Sequence, residues 1–148
     1  MNKIGKYVAN QVLTANPAEL IMMLFDEGIR TLKKAEAAFA IETPDRLETI
    51  HNHLIHVQDV LLELSYSLNH EKGGDVAANL GRIYDFMLRH LKYANVEKQL
   101  QAVTDVRELL TTLRDAWQTV VEKEQDSPKD DSAATRLNFP TNRILAAG

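Results

Sequence analysis

From Leu47 to Leu68, apolar residues recur in alternating steps of three and four: Leu47, Ile50, Leu54, Val57, Leu61, Leu64 and Leu68. A strand would alternate every second residue, so this spacing demands a helix that packs against neighbours along one seam. The same stretch carries Ile55, Leu62 and Tyr66. At about 100° per residue these project roughly opposite the seam. One apolar face builds a fold, whereas a second face on a soluble chain needs a cover.

Three further helices follow from the same reasoning. Asn16-Pro17-Ala18-Glu19 combines a capping Asn, a proline suited to the first helical position and a Glu three residues after the cap. It opens a helix expected over 17–40, with Leu20, Ile21, Leu24, Gly28, Leu32, Ala35 and Phe39 inward. Gly28 marks a close approach of helices, since glycine otherwise costs about 1 kcal/mol in a helix interior. Thr43-Pro44 repeats the cap-and-proline signal for the second helix, expected over 44–69. Residues 69–74 (NHEKGG) read as a turn before a third helix over 75–94, with Val76, Ala77, Leu80, Ile83, Tyr84, Met87 and Leu91 inward. Asn95 is the expected cap of a fourth helix over 96–123, with Val103, Val106, Leu110, Leu113, Trp117 and Val120 as its seam.

Long helices with short connections predict an all-α fold, an antiparallel up-down four-helix bundle. Residues 1–15 form an N-terminal arm, 16–124 the bundle and 125–148 a tail read as flexible from its prolines, polar run and lack of helical period. At 148 residues, one domain is expected.

The net charge of −4, without a concentrated Lys/Arg stripe, argues against nucleic acid as a partner. No stretch approaches the ~20 apolar residues of a membrane span, so no membrane insertion is expected. The chain has no cysteine, which removes thiolate metal sites and thiol nucleophiles and suits a reducing compartment. A cytoplasmic location is the expectation.

Chemistry-bearing patterns are sparse. Glu48-x-x-His51, with His53 and His56 nearby, has a spacing used by di-metal bundles. It lacks a second copy, and its histidines lie off the seam, so they read as surface histidines rather than ligands. No metalloprotease, phosphate-loop or nucleophile-elbow motif is present. Neither an enzyme nor a cofactor site is expected. What remains is surplus apolar surface: Ile55, Leu62 and Tyr66 on the second helix, Phe86 and Tyr93 on the third, and Met22 and Phe25 beside the core stripe of the first. These seven are the candidate partner-binding residues.

The chain resembles the FliS family of flagellar export chaperones in an ordered set of segments. They are Tyr7 with Asn10-Gln11-Val12, residues 14–26 (TANPAELIMMLFD), residues 73–80 (GGDVAANL), residues 83–87 (IYDFM), then Leu91, Ala94-Asn95 and residues 113–117 (LRDAW). A departure occurs at Phe25-Asp26-Glu27, where the family usually reads Tyr-Asp-Gly. The resemblance implies a helical bundle that binds the disordered C-terminal segment of flagellin, blocks premature polymerisation and keeps the client fit for type III export. It also implies that Ile4, Tyr7, Val8 and Val12 of the arm shield or reshape the client groove, and it leaves room for other flagellar export components as partners. The protein itself is expected to be a monomer or weak homodimer. The alternative is a self-associating structural bundle with no flagellin client.

Overall fold

The structure, a computed structural model, describes residues 17–126, with side chains through Lys123. Four helices follow one another: α1 (Pro17–Phe39), α2 (Arg46–Tyr66), α3 (His70–Glu97) and α4 (Leu100–Asp126). α1 packs on α2 and α4, and α3 packs on the same two from the other side. The result is the antiparallel up-down bundle expected from short connections. The arm residues Ile4, Tyr7, Val8 and Val12, the Asn16 cap and the tail from residue 127 lie outside the described residues.

Along the axis, Leu32 of α1, Ile50, Leu54, Leu61 and Leu64 of α2, Met87 and Leu91 of α3 and Leu110 of α4 are fully buried. Burying each contributes roughly 1.5–3 kcal/mol before the entropy of ordering is set against it. Gly28 sits where three helices converge: a Cβ placed there would stand 2.8 Å from Leu110 Cδ2 and 3.4 Å from Val60 Cγ1. The close approach expected at this glycine is therefore present.

Helix ends depart from expectation, with α2 stopping at Tyr66 rather than residue 69 and α4 running on to Asp126, and three of the departures have a visible local cause. α2 begins at Arg46 rather than Pro44. Arg46 N–H donates to Thr43 O at 3.1 Å, so Thr43-Pro44 builds a turn in front of the helix. The fixed φ of proline serves position i+1 of a turn as well as it serves a first helical residue. Arg46 then reaches back with its guanidinium to Phe39 O, 2.9 Å away, and ties the end of α1 to the start of α2.

α3 begins five residues earlier than the expected Asp75. Asn69 Oδ1 accepts from Lys72 N–H at 3.0 Å and starts one helical turn. Gly74, at φ 50° and ψ −123°, then breaks that turn before the helix resumes. This backbone region is all but closed to residues with a Cβ. At the other end, Asn95 is not the cap of α4 but part of the last turn of α3, which stops at the left-handed Lys98 (φ 50°). Lys98 and Gln99 both donate backbone N–H groups to Ala94 O, and Lys98 Nζ donates to Asn95 O at 2.6 Å. The last carbonyls are thereby satisfied without a glycine.

Two seam assignments are also corrected. Leu47 is 53% exposed, because it lies in the first turn of α2 beyond the last core layer. Trp117 is half-buried against the core rather than within it, and its indole N–H donates to Ala18 O at 3.0 Å, tying α4 to the first turn of α1.

Candidate functional site

Two contacts fix which way α2 faces. His56 Nε2–H donates to Glu27 Oε2 of α1 at 2.6 Å, and Asn95 of α3 donates its amide N–H to His51 Nδ1 at 2.8 Å. Ile55 and Leu62 follow His51 by four and eleven residues, so they lie within about 40° of it, on the α3 side of the outer face. They are 39% and 37% exposed, and Tyr66, one turn further on, is 77% exposed. Exposed Glu48 and Glu63 and half-buried Asp59 share this outer face. After Arg46 the helix carries no Lys or Arg. The surface is apolar with an acidic edge.

A second patch lies on α3. Phe86, His90 and Tyr93 form a stacked ladder, with ring centroids 5.2 Å and 6.1 Å apart and interplanar angles of 17° and 24°. His90 Nε2–H donates to Asp105 Oδ2 of α4 at 3.3 Å. Hydrogen bonds from Gln101 and His90 hold the Asp105 carboxyl below its usual range against a small opposing effect of burial. His90 and Asn95 are five residues apart, about 140° round the helix. The ladder therefore borders α4, while Asn95 borders α2. Sequence spacing identified Phe86 and Tyr93 but missed His90, whose i+4 and i+3 relation to the two rings was the available signal.

On α1 the expected contacts divide. Phe25 is 3% exposed and belongs to the core cluster, so it is not part of the outer surface of this structure. Its flank of α1 meets a second neighbouring helix, which periodicity on one helix does not reveal. Met22 and Met23 are half-buried. Exposed apolar residues that the pattern did not single out are Ile41, Val96 and Leu100, which join Leu47 at the end of the bundle where α1 meets α2 and α3 meets α4.

The histidines of α2 are more engaged than a solvated face implies. His53 and His56 are half-buried and only His51 is exposed. Burial first, then the positive charges of Lys34, His56 and Arg30, lower the pKa of His53. Among the described residues, no three His, Asp or Glu side chains are grouped to hold a metal ion, and no helix is long and apolar enough to cross a membrane.

The family described as "Flagellar protein FliS" matches residues 1–124. The chain belongs to the FliS family. A flagellar secretion chaperone FliS of Bacillus subtilis is 33% identical over 124 residues, covering 84% of this chain and 90% of the relative. The Salmonella typhimurium flagellar secretion chaperone FliS is 32% identical, covering 78% and 84%, and that of Vibrio cholerae is 31% identical, covering 76% and 81%. FliS proteins are thus a family of flagellar secretion chaperones, and both surface patches and all but the last two residues of the bundle fall inside the matched region. Residues 125–148 lie outside it.

Proposed function

We propose that this FliS-family protein binds the disordered C-terminal segment of flagellin in the cytoplasm, prevents its premature polymerisation and keeps it competent for flagellar type III secretion. The observation that carries this reading is the stripe of Ile55, Leu62 and Tyr66, exposed on a helix whose opposite face already fills a complete core. An amphipathic client segment would set its own i, i+3, i+4 and i+7 anchors on such a surface. Phe86 and Tyr93 supply a second, separate contact region bordering α4, and Met22 an adaptable margin on α1. Because the two patches lie on different flanks of α3, a client that engages both must wrap round the bundle. Ordering a disordered client takes several kcal/mol from the gross interaction, which favours a long contact over a compact one.

The work is done by binding, without catalysis or a cofactor. The arm residues Ile4, Tyr7, Val8 and Val12 shield or reshape the groove in this account, and other flagellar export components are further partners. The test is co-elution of purified flagellin monomer with the protein on a sizing column, with light scattering of the protein alone. A stable heterocomplex and a monomer or weak dimer in isolation support the proposal. A large homo-oligomer that ignores flagellin supports the self-associating alternative instead.

A further inference from the structure

The acidic edge of α2 borders its exposed apolar stripe. The ion pairs found among the described residues engage Asp26, Glu27, Glu36, Asp85, Asp105 and Asp115, and none involves Glu48, Asp59 or Glu63. Three carboxylates outside those ion pairs therefore flank Ile55, Leu62 and Tyr66. By contrast, the aromatic ladder on α3 has its neighbouring acids engaged: Asp85 pairs with Arg89 and Asp105 with His90. The α2 face calls for an occupant that is apolar and cationic.

The chain contains such a segment outside the described residues. Residues 136–145 read RLNFPTNRIL, with Leu137, Phe139, Ile144 and Leu145 as apolar side chains. Arg136 and Arg143 give it a charge of +2, with no Asp or Glu. Pro140 disfavours a helix through it. In extended form the seven residue steps from Arg136 to Arg143 span about 23 Å, and the fifteen steps from Glu63 back to Glu48 on α2 rise about 22 Å. The nine residues 127–135 reach up to about 30 Å, ample for the diagonal between α4 and the Tyr66 end of α2 when neighbouring helices stand 8–10 Å apart, as is typical. Residues 1–16 also carry two lysines, but Lys3 and Lys6 are three residues apart and span only about 10 Å.

We propose that residues 136–145 of this chain dock in extended form along the outer face of its own α2, running from Tyr66 towards Leu47, with Arg136 at Glu63 and Arg143 at Glu48. The segment lies outside the FliS match; docked there it covers the proposed client stripe in the free protein, so a client must displace it, and the docking itself does not require that flagellin be the client.

The absence of native cysteine allows a nitroxide label at Ala147→Cys in the full chain, read by broadening of backbone amide signals. Docking places residue 147 beyond the Leu47 end of α2, so it predicts broadening strongest over the first turns of α2 and little along the last turns of α4. Arg136→Glu with Arg143→Glu should abolish the broadening, and adding Glu48→Lys with Glu63→Lys should restore it. Broadening that ignores the charge reversal, centres on the last turns of α4 or appears nowhere overturns the proposal. So does broadening that grows with protein concentration, which would mark a second copy. An α2 pattern from a label at Asn2→Cys but not at Ala147→Cys would assign the face to residues 1–16 and equally overturn it.

Discussion

Gly28 of α1 and Leu110 of α4 meet so closely that a methyl group on the glycine would stand 2.8 Å from Leu110 Cδ2. Leu110 is fully buried, and Val60 closes the other side at 3.4 Å, so its side chain has little room to retreat. Replacing Gly28 by alanine gains about 1 kcal/mol of helix propensity, while overpacking takes back about 1–3 kcal/mol. Gly28→Ala is expected to lower stability by up to about 2 kcal/mol in urea unfolding. In a Leu110→Ala background the same change should be neutral or stabilising, since the obstructing atoms are gone. An equal effect in both backgrounds would show that the contact does not limit packing.

Stability and binding should separate along α2. Leu62→Asp and Tyr66→Asp alter exposed side chains and are expected to shift unfolding free energy by no more than about 0.5 kcal/mol. Leu61→Ala, next to Leu62 but fully buried, should cost about 2–5 kcal/mol. Thermal melts of the three variants check this, and a large loss in Leu62→Asp would mean that the residue supports the fold.

Acid should weaken the fold in two steps. Burial alone would raise the Glu27 carboxyl, but hydrogen bonds and charge from Arg30 and His56 outweigh it and hold the group below its usual value near 4.5. Its contribution is therefore complete above that value and lost as pH falls through the lower, folded one. His53 is held below its usual 6.5, so the unfolded chain takes up the proton first and stability drops as pH falls from that value. Stability should rise with pH through both windows. His53→Gln should flatten the upper step and Glu27→Gln the lower one in unfolding measured from pH 3 to pH 8. Unchanged acid limbs would contradict the assignments.

Deleting residues 1–15 is expected to increase binding of a hydrophobic dye and to change flagellin affinity, because the arm carries Ile4, Tyr7, Val8 and Val12. Unchanged dye binding together with unchanged affinity would remove the arm from the account.

Much of the fold was legible because it depends on local periodicity. The four seams, the role of Gly28 and the outward direction of Ile55, Leu62 and Tyr66 all follow from spacing. Thr43-Pro44 was misplaced because one φ angle serves both a turn and a helix start. The single turn before Gly74 escaped notice because a turn-forming sequence and one capped helical turn share the same residues. Phe25 and Val60 were harder for a different reason. A helix with two neighbours buries more than one seam, and only the positions of those neighbours tell the second flank from the surface. Long-range partners such as Glu27 and His56, or Asn95 and His51, leave no trace in local spacing at all.

The central claim is that the outer stripe of α2 receives the client. Calorimetric titration of flagellin's disordered C-terminal segment into the full chain, and into the Leu62→Asp/Tyr66→Asp variant, tests it most directly. The account predicts saturable binding with a negative heat-capacity change for the native chain, weakened about tenfold or more in the variant. Equal affinity in the two proteins, or no binding by the native chain, would contradict it.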